Sequence, residues 1–100
     1  MMFEILLTPS AKETLDRLEK DATKAGLLKQ VRKTLGFLQT NLRHPSLNTH
    51  EYQTIASPFS KDEKVFEAYA QNKTPGAYRV FWCYGPNKKQ ISIIAITPHP

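Results

Sequence analysis

The feature of this sequence that most constrains its fold is a pair of apolar runs in the last quarter of the chain. Residues 77–84 and 91–100 are both dense in β-branched and aromatic side chains, which favour strands. The segment between them contains Gly85, Pro86 and Asn87, a composition typical of a turn. The sequence therefore predicts a β-hairpin at the centre of a sheet.

The first third of the chain predicts a strand followed by a helix. Residues 3–7 form a short apolar run that ends before Pro9, and we interpret them as the first strand. Ser10 and Glu13 have the spacing of a capping box, so the helix is expected to begin at Ser10. Gly26 is a residue type that commonly closes helices, and it marks the expected end.

A second helix is predicted over residues 27–43, where apolar side chains recur at helical spacing. An irregular segment follows from Pro45 to Ser60, and residues 64–70 then alternate as a strand. The order is strand, helical hairpin and three antiparallel strands, so we predict one α+β domain over residues 1–100. The helices are expected to pack on one face of the sheet. The long loop, a partner or a substrate is expected to cover the other face.

The composition narrows the class of protein. One hundred residues with 40% apolar and 23% charged side chains are enough for one ordered domain. Cys83 is the single cysteine and is expected to be a buried, inert thiol, which suits a reducing cytoplasm. The apolar N-terminal run is too short for a membrane span, so we expect a cytoplasmic protein without a membrane partner. His44 and His50 have no second ligand at metal spacing, so we interpret them as surface histidines and expect no metal or other cofactor.

Basic side chains are concentrated on the second predicted helix. The chain has 14 Lys and Arg against 9 Asp and Glu, a net charge of +5, which favours contact with polyanions. No acidic residue lies between Ala22 and His50. Two interpretations stay open, a solvated helix face or a surface that follows RNA phosphates or binds an acidic partner. The candidate RNA-binding residues are Lys29, Arg32, Lys33 and Arg43.

Two residues of the hairpin can carry chemistry. The planar guanidinium of Arg79 can hold two phosphate oxygens, and a histidine such as His99 can act as acid or base near neutral pH. A turn that pairs Tyr84 with Gln90 would put both residues on one face of the sheet. The sequence also allows a structural ion pair for Arg79 and an exposed, frayed position for His99.

The predicted order of elements, together with Gly-Ala-Tyr-Arg-Val-Phe-Trp at residues 76–82, resembles the RelE/ParE toxin superfamily. His-Pro-Ser-Leu at residues 44–47 is similar to the motif that this superfamily places after its second helix. The resemblance covers nearly the whole chain. It implies the toxin of a type II toxin–antitoxin system, a ribosome-dependent mRNA endoribonuclease that needs no metal and is held inactive by a cognate antitoxin. The alternative is a non-catalytic binding protein of the same fold, either a gyrase-directed ParE-like toxin or an inactive member.

The resemblance also implies roles for individual residues. Arg79 matches the strand arginine that holds the scissile phosphate, and His99 matches the C-terminal histidine that acts as acid or base in YoeB-like nucleases. Where RelE has two lysines on the preceding strand, this chain has Glu67 and Tyr69, which complete the set of candidate catalytic residues. These two share a face with Arg79 only if Tyr69 lies opposite Arg79.

Overall fold

The computed structural model describes residues 2–72 and 74–99. Its elements are α1 (Pro9–Lys20), α2 (Ala25–Thr40), β1 (Glu4–Leu7), β2 (His50–Glu51), β3 (Phe66–Tyr69), β4 (Tyr78–Tyr84) and β5 (Gln90–Pro98). The strands form one sheet in the order β1-β5-β4-β3-β2, with β1 parallel to β5 and the other neighbours antiparallel. The predicted α+β fold with a helical hairpin and a final antiparallel meander is confirmed. Strand β2 was not predicted, since two residues are too few to show a pattern.

Both helices pack on one face of the sheet, as predicted, and the core lies between these layers. No helix in the described part of the chain is long and apolar enough to cross a membrane. The buried side chains of the core come from both helices, from the segment after α2 and from β3, β4 and β5. They are Ala11, Leu18, Val31, Leu38, Leu47, Ala68, Val80, Trp82, Ile91, Ile93 and Ile96.

The predicted limits of the first helix are wrong at both ends. The N-cap is Thr8, whose hydroxyl accepts a hydrogen bond from the backbone N–H of Ala11 at 3.3 Å. Pro9 at the first helical position explains the earlier start, because its fixed φ suits that position and it has no N–H to satisfy. The helix ends at Lys20, and a 3₁₀ turn leads directly into α2, so Gly26 lies in the first turn of α2.

The predicted end of the second helix and the predicted register of the central hairpin are also wrong. Helix α2 ends at Thr40 instead of Arg43. In the hairpin, Tyr84 pairs with Ile91, and Gln90 closes the turn by accepting a hydrogen bond from the N–H of Gly85 at 2.9 Å. The connection between the paired residues is therefore one residue longer on the β5 side than expected. Taken alone, this shift would move every side chain of β5 to the opposite face from the predicted one.

A β-bulge further along the hairpin adds a second one-residue shift, which restores the predicted strand parity. Phe81 pairs with Ala95 but Trp82 pairs with Ile93, which leaves Ile94 as the extra residue on β5. The hydroxyl of Thr8 donates a hydrogen bond to the carbonyl of Ile94 at 2.8 Å, so the residue that caps α1 also holds the bulge. Beyond the bulge the strand parity is the predicted one. Ala95 pairs with Phe81 and Thr97 pairs with Arg79, so both side chains lie on the face of Arg79.

The second face of the sheet is partly covered by residues 52–65, one of the three coverings expected from the sequence. The ring of Tyr52 lies 4.8 Å from that of Phe81, and the hydroxyl of Ser57 lies 3.9 Å from Sγ of Cys83. Cys83 is buried as predicted, and this burial raises the pKa of its thiol, as expected for an inert cysteine. The loop leaves uncovered the end of this face that contains Arg79.

The double role of Thr8 can be tested by measuring stability. We expect Thr8→Ala to lower the free energy of unfolding by about 1–2 kcal/mol, because it removes the helix cap and the donor to the bulge. Ser10→Ala is the matched control, since Ser10 is exposed and does not cap the helix. Its effect should stay within about 0.5 kcal/mol. Urea unfolding followed by circular dichroism measures both, and equal losses would contradict the assignment of the cap to Thr8.

Candidate active site

Four candidate residues converge on the uncovered end of the second sheet face. Tyr69 pairs with Arg79 across β3 and β4, which is the register required to put Glu67 and Tyr69 on the face of Arg79. His99 follows the end of β5, and its backbone N–H donates to the carbonyl of Ala77 at 2.8 Å. This hydrogen bond extends the pairing of the last strand. The structure therefore brings together the four side chains that were predicted from the sequence as catalytic candidates, namely Glu67, Tyr69, Arg79 and His99. Their catalytic role stays a prediction.

The carboxylate of Glu67 is the centre of this cluster. Its side chain is 1% exposed, and its Oε2 lies 2.6 Å from Nδ1 of His99 and 3.8 Å from Nε of Arg79. A buried carboxylate is stable only when it is paired and hydrogen-bonded. The structural ion pair that the sequence allowed for Arg79 is therefore present. His99, the candidate acid or base, contacts the same carboxylate oxygen.

Arg79 is fixed from several sides. Its Cζ lies 3.7 Å from the ring centroid of Tyr69, and its Nη1 donates to the carbonyl of Gln71 at 2.6 Å. The side chain is 10% exposed, so only a small part of the guanidinium reaches the surface. These contacts hold a permanent positive charge in a defined orientation at the floor of the cluster.

His50 is a fifth member of the cluster. It is a surface histidine as predicted, with a side chain that is 48% exposed, but its contact with Glu67 was not predicted. Its Nε2 lies 2.7 Å from Oε1 of Glu67, and its Nδ1 lies 2.9 Å from the carbonyl oxygen of Asn48. It reaches Glu67 because His50 on β2 is the direct pairing partner of Glu67 on β3. The sequence carried no signal for this contact, because a two-residue strand is recognised only from its pairing. His44, in contrast, stacks on Phe37 with ring centroids 3.8 Å apart, outside the cluster.

The hydrogen bonds distinguish the two clustered histidines. A backbone carbonyl can only accept, so we infer that Nδ1 of His50 carries a proton. Both ring nitrogens of His50 are then engaged, one with Asn48 and one with Glu67. His99 contacts Glu67 through Nδ1, and its side chain is 47% exposed. Its Nε2 therefore lies on the edge of the ring that points away from Glu67.

Of the four candidate RNA-binding residues, Lys33 lines a cleft that Tyr69 of the cluster also lines. Arg32 pairs with Glu19 of α1 at 2.7 Å, so an acid from the other helix neutralises it. Lys33 lies with its Nζ 5.8 Å from the ring centroid of Phe37, while Lys29 and Arg43 are exposed. Their RNA-binding role remains a prediction. Across residues 2–72 and 74–99, no group of three or more His, Cys, Asp or Glu side chains is arranged to hold a metal ion.

The architecture that holds this cluster is a RelE/YoeB-like toxin fold, which confirms the resemblance at the level of fold. A YoeB/ParE toxin from Agrobacterium tumefaciens has a TM-score of 0.69 at 6% identity and covers 98% of this chain and 100% of its own. Archaeal RelE, solved as a RelE–RelB complex from Pyrococcus horikoshii OT3, has a TM-score of 0.65 at 14% identity, with 98% and 96% covered. The YoeB dimer from Staphylococcus aureus has a TM-score of 0.64 at 13% identity, with both chains covered completely. No protein-family model and no curated protein matches the sequence.

The central position of Glu67 predicts a large cost for its removal. We expect Glu67→Ala to lower the free energy of unfolding by about 3–5 kcal/mol, because the buried charge of Arg79 loses its partner. Glu51→Ala is the matched control, since that carboxylate lies on the neighbouring strand, is 40% exposed and is 3.9 Å from Lys64. The control should change stability by at most about 1 kcal/mol. Chemical unfolding measures the stability of both variants. Similar small losses of unfolding free energy would show that Glu67 does not hold the cluster.

Proposed function

We propose that this protein is the toxin of a toxin–antitoxin system and that it cleaves mRNA on the ribosome by metal-free acid–base chemistry. The observation that carries the proposal is the contact of 2.6 Å between Nδ1 of His99 and the buried carboxylate of Glu67. A carboxylate that receives Nδ1–H fixes the tautomer of an imidazole and leaves Nε2 as the basic nitrogen. This arrangement suits a general base that faces a substrate.

The proposed reaction needs only one histidine. Nε2 of His99 takes the proton of the ribose 2′-hydroxyl, and the 2′-oxygen forms a bond to the adjacent phosphorus. The bond from phosphorus to the 5′-oxygen breaks, and the imidazolium of His99 returns the proton to that oxygen. The products are a 2′,3′-cyclic phosphate and a free 5′-hydroxyl, so protons and electron pairs balance without a metal.

Arg79 supplies the charge that this reaction requires. The phosphorane carries extra negative charge on its non-bridging oxygens, and a fixed guanidinium stabilises it without reorganisation. Tyr69 supports Arg79 through its ring, whose centroid lies 3.7 Å from the guanidinium carbon. We therefore assign Tyr69 as a positioning residue, with Arg79 and His99 as the residues that contact the scissile phosphate group.

A cognate antitoxin is the second part of the proposal. Archaeal RelE was solved with RelB, and YoeB of Staphylococcus aureus was solved with YefM, so proteins of this fold form such complexes. In this chain Lys29, Lys33 and Arg43 give α2 and the segment after it an exposed basic character. A partly disordered acidic segment could neutralise these charges and order on binding.

The first functional test is induction of the chain without its partner. Wild-type protein should arrest growth, and primer extension on a translated message should show new 5′ ends within codons. His99→Ala should reduce cleavage by at least about a hundredfold, the size expected for removing an acid–base group. His44→Ala is the matched control, because this second histidine lies outside the cluster and should leave cleavage unchanged.

Three outcomes of this test would contradict the proposal. Continued protein synthesis with accumulating DNA breaks would point to gyrase as the target. Equal cleavage of the same message with and without ribosomes would remove the ribosome from the proposal. Arrest that the product of the adjacent gene fails to relieve would contradict the antitoxin partner.

The role assigned to Tyr69 has its own test. Tyr69→Phe keeps the ring that stacks on Arg79 and should retain cleavage within about threefold, whereas Tyr69→Ala should reduce it by about tenfold or more. Cleavage of a translated message, normalised to the folded fraction from thermal melts, measures both variants. A large loss in Tyr69→Phe would instead make the phenolic hydroxyl a group that acts on the substrate.

A further inference from the structure

We propose that the cleft beside the catalytic cluster binds the base of a nucleotide adjacent to the scissile phosphate, and thereby sets the sequence preference of cleavage. The inference rests on the proposed function and specifies a part of the substrate site that the cluster does not explain. The cleft lies between α2 and the outer edge of β3, and its volume is about 380 Å³. Pockets for small ligands begin at about 300 Å³, so the space suits one nucleoside.

The composition of the cleft wall favours a nucleobase. Amides can donate and accept at once, which allows bidentate recognition of a base edge, and aromatic rings offer stacking surfaces. The wall residues of these two kinds are Gln30, Asn48, Gln71, Asn72, Phe37 and Tyr69. Lys33 also lines the cleft and can contact a neighbouring phosphate.

One of these wall residues, Tyr69, belongs to the catalytic cluster, and two others are hydrogen-bonded to it. Tyr69 stacks on Arg79, the carbonyl of Gln71 accepts from Nη1 of Arg79 at 2.6 Å, and the carbonyl of Asn48 lies 2.9 Å from Nδ1 of His50. A strand whose phosphate lies on Arg79 therefore passes directly beside this cleft. This continuity favours an RNA base over a segment of a partner protein as the occupant.

The amides of the wall are also held in place before any ligand binds. The side-chain amide of Gln71 donates to Oε1 of Gln30 at 3.1 Å and accepts from the backbone N–H of Tyr78 at 3.1 Å. These two bonds fix which end of the Gln71 amide faces which partner. Groups fixed in this way lose little side-chain entropy when a ligand binds, which favours discrimination between bases.

Nuclear magnetic resonance titrations test the cleft without any cleavage step. The probes are the four ribonucleoside 5′-monophosphates and inorganic phosphate, added to the wild-type chain. At least one nucleotide should shift the side-chain amide signals of Gln30, Asn48, Gln71 and Asn72, and phosphate alone should not. Gln30→Ala and Asn72→Ala should each weaken binding of that nucleotide about tenfold, the loss expected for one polar contact to a base. Gln39→Ala, on the same helix outside the cleft, is the control and should bind as wild type.

The same variants separate this inference from the proposed function. If the cleft binds a nucleotide but the chain cleaves no message, the base site stands and the nuclease proposal fails. If the chain cleaves message but Gln30→Ala and Asn72→Ala keep the wild-type cut sites, and no nucleotide shifts the cleft amides, the base site is wrong. If inorganic phosphate reproduces the chemical-shift changes in full, the base site is also wrong, because the cleft would then bind negative charge and not a base. Thermal melts of each variant identify any loss that comes from unfolding.

Discussion

The arrangement of the second sheet face around Arg79 depends on one buried carboxylate. Glu67 is 1% exposed, and an ionised carboxylate so far from water must be compensated by nearby charges and donors. Its partners come from three places in the chain, namely His50 on β2, Arg79 on β4 and His99 after β5. Each contact requires the correct register of a different strand pair. The carboxylate therefore favours one alignment of the sheet over the slipped alignments that apolar packing alone would tolerate.

The sequence predicted the parts of this structure that depend on local pattern, and missed those that depend on pairing. Helical spacing, turn composition and β-branched runs located both helices and the hairpin, because these signals are contained in a few neighbouring residues. The register of Tyr84 was predicted wrongly, since the turn and the bulge at Ile94 are set by contacts with other segments. The prediction that β5 presents His99 on the face of Arg79 nevertheless agrees with the structure, because the bulge restores the strand parity that the turn changes. His50 was missed because only the pairing of β2 with β3 brings it to Glu67.

Thr8 connects the start of α1 to the position of His99. Its hydroxyl accepts from the helix and donates to the bulge residue Ile94, and its own N–H donates to the carbonyl of Ile93 at 3.1 Å. The bulge decides which face the rest of β5 presents, and so decides whether His99 reaches Glu67. A helix cap, usually a local stabilising device, here also helps to set the geometry of the candidate active site.

The contact between His50 and Glu67 also resolves an electrostatic difficulty of the site. A carboxylate beside Arg79 would cancel the positive charge that a phosphate needs, and would itself repel the phosphate. Nδ1 of His50 donates to a carbonyl, and its Nε2 lies 2.7 Å from the Glu67 oxygen, so we infer that one proton is shared at that contact. A proton at this contact offsets part of the negative charge of Glu67, so Glu67 compensates Arg79 less completely than an isolated carboxylate would. Because the carboxylate still accepts Nδ1–H of His99 through its other oxygen, Glu67 can orient His99 in the proposed mechanism while it compensates Arg79 only in part.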